Sequence, residues 1–151
     1  MKTISINKKL YHDYQIYKTY QAGMILLGYE VKAIKQGKIS LVDSFISIRE
    51  SEAYIHHMNI SKLREVDQTV KYNPVRERKL LLNKNEIIEI EKEIKKLGYT
   101  VVPLKIGIVR GRIKLDIALV KGLKQYDKRE KEKLKSANRD IEISLKDYSK
   151  K

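Results

Sequence analysis

Three histidines, nineteen acidic residues and no cysteine are the chain's material for covalent or acid–base chemistry. Their spacing suits none of the usual arrangements. His56 and His57 are neighbours on an expected strand, so their side chains point to opposite faces and cannot share a metal. His12-Asp13 could orient an imidazole, but no cysteine and no well-placed serine accompanies the pair as a nucleophile. The missing cysteines also remove disulfides, thiolate catalysis and cysteine-ligated metals. Glu86, Glu89, Glu91 and Glu93 alternate with Lys92, Lys95 and Lys96, which reads as a solvated helix face with i,i+4 pairs rather than an acid/base dyad. Gly107, Gly111 and Gly122 fall outside any phosphate-loop spacing. The expectation is a protein that is not an enzyme, with no catalytic residues, no metal, no cofactor and no small-molecule ligand.

What remains is charge. Thirty-three Lys and Arg against nineteen Asp and Glu give a formal charge of +14 over 151 residues. That is more than solubility requires, and it opposes compactness by self-repulsion. Heavy use of Ile and Lys could reflect a biased genome, so the distribution matters. From Lys121 onward there are 11 basic and 6 acidic residues, which leaves nine of the fourteen net charges on the first 120. A body and a tail that are both basic suit a nucleic-acid ligand better than a single dangling arm. A membrane partner is not expected, because nothing early in the chain pairs the charge with an apolar stripe. No apolar run of about 18 residues and no signal-peptide pattern occurs. A cytoplasmic location suits this composition.

The elements that would position these charges follow from periodicity. Tyr14–Tyr20 is rich in β-formers and Met24–Leu27 is a short apolar run; Gln21-Ala22-Gly23 between them reads as a tight turn, making a hairpin. Val31 and Ile34, followed by Gly37, predict one or two helical turns with a glycine end. Phe45, Ile46 and Ile48 predict a strand, and Ala53–Ile60 another across the polar turn Glu50-Ser51-Glu52. Residues 61–78 show neither period and read as a long loop. Asn83 with Glu86 forms a capping box before Ile87, Ile90, Ile94 and Leu97 on one helix face closed by Gly98. Tyr99–Val109 and Arg112–Val120 then alternate as two strands around Arg110-Gly111, the second with Arg112, Lys114 and Asp116 on its wet face.

The predicted fold class is therefore mainly β: an OB-like closed antiparallel barrel of about six strands, a helix between the third and fourth barrel strands, and a basic C-terminal tail. Such barrels close to remove their edges and often bind oligonucleotides. The expected division is a barrel over 1–122 and a tail over 123–151. In the tail, Leu134, Ala137, Ile141, Leu145 and Tyr148 make a narrow helical stripe. A helix over 129–148 would be about 30 Å long. So thin a stripe predicts a segment disordered alone and helical when bound.

Several segments stand out in unbroken order: Asn7-Lys8-Lys9 and His12-Asp13-Tyr14, Gly28–Lys32, Pro74–Leu82, Val102–Lys105, Arg110–Lys114 and Lys121–Glu130. Together they closely resemble the small protein B family, the SsrA-binding proteins of bacteria, from about Asn7 to Arg129. The resemblance implies the barrel, and a factor that binds the tRNA-like domain of transfer-messenger RNA and delivers it to stalled ribosomes for trans-translation. It places RNA-contact positions on Gln21, Leu81, Asn83, Lys114 and Gly122, with Lys32 and Lys124 as backbone contacts. Asn7, Lys8, Gly23, Glu30 and Arg112, inside or beside the same segments, complete the candidate RNA-binding set. Tyr126, Asp127, Lys128 and Arg129 are implied to sit in the small-subunit decoding centre, with the rest of the tail helical in the empty message channel.

The physical reading agrees. Lysines and arginines on a barrel face neutralise phosphates and release counterions, and a folded RNA elbow is read by shape. Tyr126 can stack on an exposed base, while Lys128 and Arg129 bind phosphate. Plainer readings stand beside these: Leu81 as core, Gly122 as a strand end, Glu30 as a local cap or pair, Lys114 as a solvated lysine. Three departures from the family pattern are Gln21 where Glu is usual, Leu123-Lys124 where two lysines are usual, and Lys62-Leu63 where Pro and an aromatic are common. The alternative is a general OB-type single-strand RNA-binding translation accessory.

Overall fold

The computed structural model describes residues 1–64, 69 and 71–122. It is mainly β, with strands β1 (Lys2–Ile6), β2 (Tyr14–Met24), β3 (Ile39–Ser40), β4 (Phe45–Arg49), β5 (Glu52–His56), β6 (Asn59–Ile60), β7 (Arg78–Leu81), β8 (Tyr99–Val109) and β9 (Arg112–Gly122). Helices α1 (Lys9–Asp13), α2 (Gly28–Lys35) and α3 (Lys84–Ile94) fall between them. Six strands close a ring in the order β8-β4-β5-β7-β2-β9, with β9 returning to β8. Strand β1 adds to β8 outside the ring, and β3 pairs with β6 as a separate two-stranded sheet. All pairings are antiparallel. No described helix is long and apolar enough to cross a membrane.

Alternation builds the core. Ile113, Leu115, Ile117 and Leu119 of β9 face the ring interior with Tyr20 and Ala22 of β2, Ile46 of β4, Ile55 of β5 and Leu80 of β7. The opposite face of β9 is wet at Lys114 and Asp116, but Ala118 and Val120 are covered by Leu10 of α1 with Val102 and Leu104 of β8. Helix α3 starts at Asn83, whose backbone N–H donates to Glu86 Oε1 at 3.1 Å, and buries Ile87 and Ile90. Each such side chain contributes roughly 1.5–3 kcal/mol of burial. Gly107 lets β1 lie close: a Cβ there would stand 2.4 Å from the Lys2 carbonyl oxygen.

Several expectations are corrected. Tyr14–Met24 is one continuous strand rather than a hairpin, because the Gln21–Gly23 backbone stays extended and pairs with β9 and β7. The expected strand Ala53–Ile60 breaks after His56, where His57 takes φ +63°. That turn defeats the opposite-face argument: Phe45 packs on both imidazoles, at 4.9 Å from His56 and 5.6 Å from His57. Leu97 lies beyond the helix and is 96% exposed. Elements β1, α1 and β7 carry no strong periodicity and were not expected. Because β7 joins the ring, α3 connects its fourth and fifth strands in chain order rather than the third and fourth.

Within the expected loop 61–78, Tyr72, Pro74, Arg76 and Arg78 are held by one buried charge network, while Leu63 packs into the core. The Glu30 side chain on α2 is fully buried, as is that of Arg78 on β7. Arg78 Nε donates to Glu30 Oε2 at 2.8 Å, Nη1 to the Met58 carbonyl at 2.6 Å, and Nη2 to Tyr72 Oη at 2.9 Å and the Pro74 carbonyl at 3.0 Å. Arg76 Nε reaches Glu30 Oε2 at 3.1 Å and its Nη2 pairs with Oε1. Leu27 N–H donates to Oε1 at 2.8 Å, so one carboxylate caps α2 and receives both arginines. Burial alone would raise the Glu30 carboxyl, but the bonds from Arg76, the Leu27 backbone and Arg78 hold it below its ordinary value. Burial pushes the Tyr72 phenol up to about 12.

Removing one partner of such a buried pair leaves an uncompensated charge, costing roughly 3–5 kcal/mol. Glu30→Gln is therefore expected to lower the thermal unfolding midpoint by many degrees. Since the folded pKa is depressed, this contribution is complete above the ordinary value of 4.5 and is lost as pH falls through the folded value. Thermal melts from pH 7 to 3 should show wild-type stability falling more steeply below pH 4.5 than that of Glu30→Gln.

Candidate nucleic-acid interface

Three ring strands bring the expected RNA positions together. Strand β2 pairs with β7 through Gly23 opposite Leu81, and with β9 through Gln21 opposite Asp116 and Ala22 opposite Leu115. Gly23 is thus flanked by both neighbours. A Cβ on it would sit 3.3 Å from Leu81 Cβ and 3.7 Å from Lys114 Nζ. The missing side chain lets the leucine and the ammonium group close over the strand. Leu81 is 51% exposed, so it belongs to this surface rather than to the core, where Leu80 sits. Asn83, two residues on, borders the patch at the start of α3. Gln21, Gly23, Leu81, Asn83 and Lys114 form one local surface with an apolar centre and a cation beside it.

Gln21 is held in place. Its Nε2 donates to Asp116 Oδ1 at 3.2 Å and approaches Met1 Sδ at 3.8 Å. Lys105, buried on β8, stands 3.8 Å from the other Asp116 oxygen. The carboxylate beside Gln21 is therefore that of Asp116, a residue that sequence reasoning placed on the wet face without assigning it a role.

Ion pairing separates two groups of cations. Lys18 is bonded to Glu89 at 2.5 Å, Arg49 to Glu77 at 2.5 Å and Lys79 to Glu52 at 2.7 Å. Lys18 and Tyr20 in turn hold the Glu89 carboxyl below its ordinary value. Lys8, Lys32, Arg112 and Lys114 have no carboxylate partner among the described residues. Only unpartnered cations can neutralise a polyanion without first breaking a bond of their own.

Other expected positions lie elsewhere. Gly122 pairs with Tyr14 at the far end of β9, eight residues from Lys114 and so about 27 Å along the strand. Arg112 stands at the β8–β9 turn opposite Val109. Lys8 precedes α1 and is exposed, and Lys32 is exposed on α2. Two of the expected positions are buried. Glu30 is 0% exposed, its carboxylate bonded to the Leu27 N–H, Tyr72, Arg76 and Arg78. Asn7 is 8% exposed; its Nδ2 donates to the Pro103 carbonyl at 3.0 Å and its backbone N–H to Leu104 O at 2.8 Å, fastening α1 to β8. Lys124 and the Tyr126, Asp127, Lys128 and Arg129 motif lie outside the described residues.

The Arg76–Arg78–Tyr72 set was missed because its partner Glu30 is more than forty residues distant. The alternation of Arg76 and Arg78 within an otherwise aperiodic stretch was the available signal.

A family model described as SmpB protein matches residues 4–147. The chain is 46% identical over 148 residues to an SsrA-binding protein of Enterococcus hirae, covering 98% of this chain and 96% of that one. It is 42% identical over 149 residues to an SsrA-binding protein of Geobacillus kaustophilus, with 99% and 96% covered. Identity to that of Dechloromonas aromatica is 41% over 145 residues, with 96% and 97% covered. A solved chain described under "tmRNA-SmpB: a journey to the center of the bacterial ribosome" superposes with a TM-score of 0.67 at 35% identity, over 83% of this chain and 92% of that chain.

If the β2–β7–β9 patch is the interface, Lys114→Gln should reduce the slope of log affinity against log salt for a structured RNA by about one. Lys79→Gln, whose amine is already bonded to Glu52, should leave that slope unchanged. A filter-binding salt series measures both, and equal shifts would exclude the patch.

Proposed function

The chain belongs to the SmpB family, and from that premise we propose that it binds the tRNA-like domain of transfer-messenger RNA and delivers it to stalled ribosomes for trans-translation. The observation that carries this reading is the convergence of Gln21, Gly23, Leu81, Asn83 and Lys114 on one surface built by three strands. They come from three separate stretches of the sequence, around residues 21–23, 81–83 and 114, and strand pairing within the ring puts them side by side. The six-strand ring is read as an OB-like closed barrel, with residues 1–122 the RNA-binding body and 123–151 the tail.

In this reading the barrel does two jobs. Leu81, packed over the buried Gly23 backbone, offers apolar contact to an exposed base or ribose. Lys114 supplies a phosphate contact, Arg112 extends the positive field toward the β8–β9 turn, and Lys8 and Lys32 add long-range attraction. Because those cations recognise backbone rather than base edges, selectivity comes from the shape of the folded RNA. Gly122 ends β9 and releases the tail. Lys124 makes a further backbone contact, while Tyr126, Asp127, Lys128 and Arg129 occupy the decoding centre and the remainder becomes helical in the message channel. Intact message would exclude that cationic segment by volume and by charge. Vacancy is thus sensed by occupancy, with no catalysis, metal or cofactor required. The protein acts in the cytoplasm, with no membrane or small-molecule partner.

The departures at Gln21 and Leu123 fit the same scheme. Asp116 stands where a carboxylate at position 21 would otherwise be the negative group, and the loss of one lysine after Gly122 removes a single phosphate contact.

A chain truncated after Gly122 tests the division of labour. Its affinity for transfer-messenger RNA should stay within about threefold of the full chain, while peptide tagging on stalled ribosomes in a reconstituted translation system should be abolished. Loss of RNA binding by the truncated chain would refute the assignment of that role to the barrel.

A further inference from the structure

We propose that Tyr17, Tyr99 and Lys121 form a second RNA site, which stacks one unpaired nucleotide of ribosomal RNA while the β2–β7–β9 patch holds the transfer-messenger RNA. The inference rests on the function proposed above and adds a contact that the reading does not use.

Strand β2 carries a bulge there. Ile16 pairs with Val120 and Lys18 with the adjacent Leu119, so Tyr17 has no residue opposite it. A bulge forfeits ladder pairing and re-aims the extra side chain. The re-aimed ring comes to rest beside Tyr99 of β8, with centroids 5.2 Å apart and planes at 54°. The Lys121 ammonium lies 5.7 Å from the Tyr99 centroid. The lysine stem also runs along Gly98, where an added Cβ would meet its Cε at 3.4 Å.

Tyr17 stays 52% exposed despite this arrangement. Two rings and a cation without a carboxylate partner among the described residues are the elements that bind an unstacked base and its phosphate: aromatic faces accept any base, and the ammonium neutralises the backbone. A protein segment would match the rings but not the net charge, since residues 1–120 alone carry nine of the excess positive charges.

Strand alternation decides which RNA. Strand β9 is regular from Leu115 to Gly122 in its pairing with β2 and from Arg112 to Lys121 in its pairing with β8, with no residue of its own looped out. Lys114 and Asp116 face outward, whereas Lys121 has the opposite parity and continues the face of Ile117 and Leu119 past the end of the core. The Tyr17 cluster and the Lys114 patch thus lie on opposite faces of one ribbon. An RNA held on the outer face does not reach the rim without wrapping the strand. Lys121 is also the residue before Gly122, where the tail proposed to enter the decoding centre departs, so the nucleotide facing this rim is ribosomal.

The test uses the full chain in complex with transfer-messenger RNA, and two affinities are measured: chain for the RNA by gel shift, and complex for vacant small ribosomal subunits by filter binding. Tyr17→Ala is expected to leave the first within twofold and to weaken the second about tenfold. Tyr17→Phe, which keeps the ring, should match wild type in both, and Lys121→Gln should lower the salt slope of the second only. Unchanged subunit affinity in Tyr17→Ala overturns the proposal. So does a loss confined to transfer-messenger RNA, which would assign the cluster to that partner, or an equal loss in Tyr17→Phe, which would make the hydroxyl rather than the stack the contact. Wild-type chain without preference for transfer-messenger RNA would instead overturn the function on which the proposal rests.

Discussion

A single buried carboxylate organises the half of the ring that carries the proposed RNA surface. Glu30 caps α2 through the Leu27 N–H and simultaneously receives Arg76 and Arg78. Arg78 then bonds the Met58 and Pro74 carbonyls, so α2, the chain after β5 and the start of β7 meet at one point. Desolvating three charges is expensive unless every donor and lone pair finds a partner. Here nearly all do, and that requirement fixes geometry more narrowly than apolar packing would. Three residues after Arg78 stands Leu81, whose place beside Gly23 depends on the register that Arg78 sets.

The surface that results is economical in its use of charge. Most lysines and arginines on the β4–β5–β7 face are already spent on Glu52 and Glu77, which leaves that side nearly neutral. Arg112, Lys114 and Lys121 on β9 have no carboxylate partner among the described residues. A strongly positive chain thus presents its unpartnered charge on particular strands, and this asymmetry orients a polyanion as it approaches. The apolar contact at Leu81 and the fixed Gln21 amide then act at short range, where counterion release alone cannot discriminate.

Much of this was legible in the sequence, and the reasons differ by element. The alternation of Val102, Leu104, Ile106 and Ile108 against Ile113, Leu115, Ile117 and Leu119 marked the β8–β9 hairpin, but not that a bulge at Leu104 turns Val102 and Leu104 toward α1 while Ile106 and Ile108 meet the main core. Asn83 with Glu86 marked the helix start, since a capping box is a local signal. Gly23 misled: a glycine after Gln-Ala resembles a turn, yet here it serves close approach of Leu81 and Lys114 in an extended strand. Strand β7 was hidden because its inward residue Arg78 is charged, and a buried arginine breaks the apolar pattern that announces a strand. Glu30 and Asn7 read as RNA contacts because polar residues inside a resembling segment look functional; in the structure both are buried and bonded within the chain. The convergence of Gln21, Leu81 and Lys114 is a property of ring closure, which no local periodicity encodes.

The central claim is that a positive barrel selects a folded tRNA-like shape rather than any exposed strand. Competition gel shifts across a salt series, setting transfer-messenger RNA against ordinary tRNA and an unstructured RNA of equal length, test it most directly. The account predicts affinity that declines with salt for all three, while preference for transfer-messenger RNA persists at every salt concentration. Equal affinity for the three RNAs once charge is screened would contradict it and leave only a general single-strand binder.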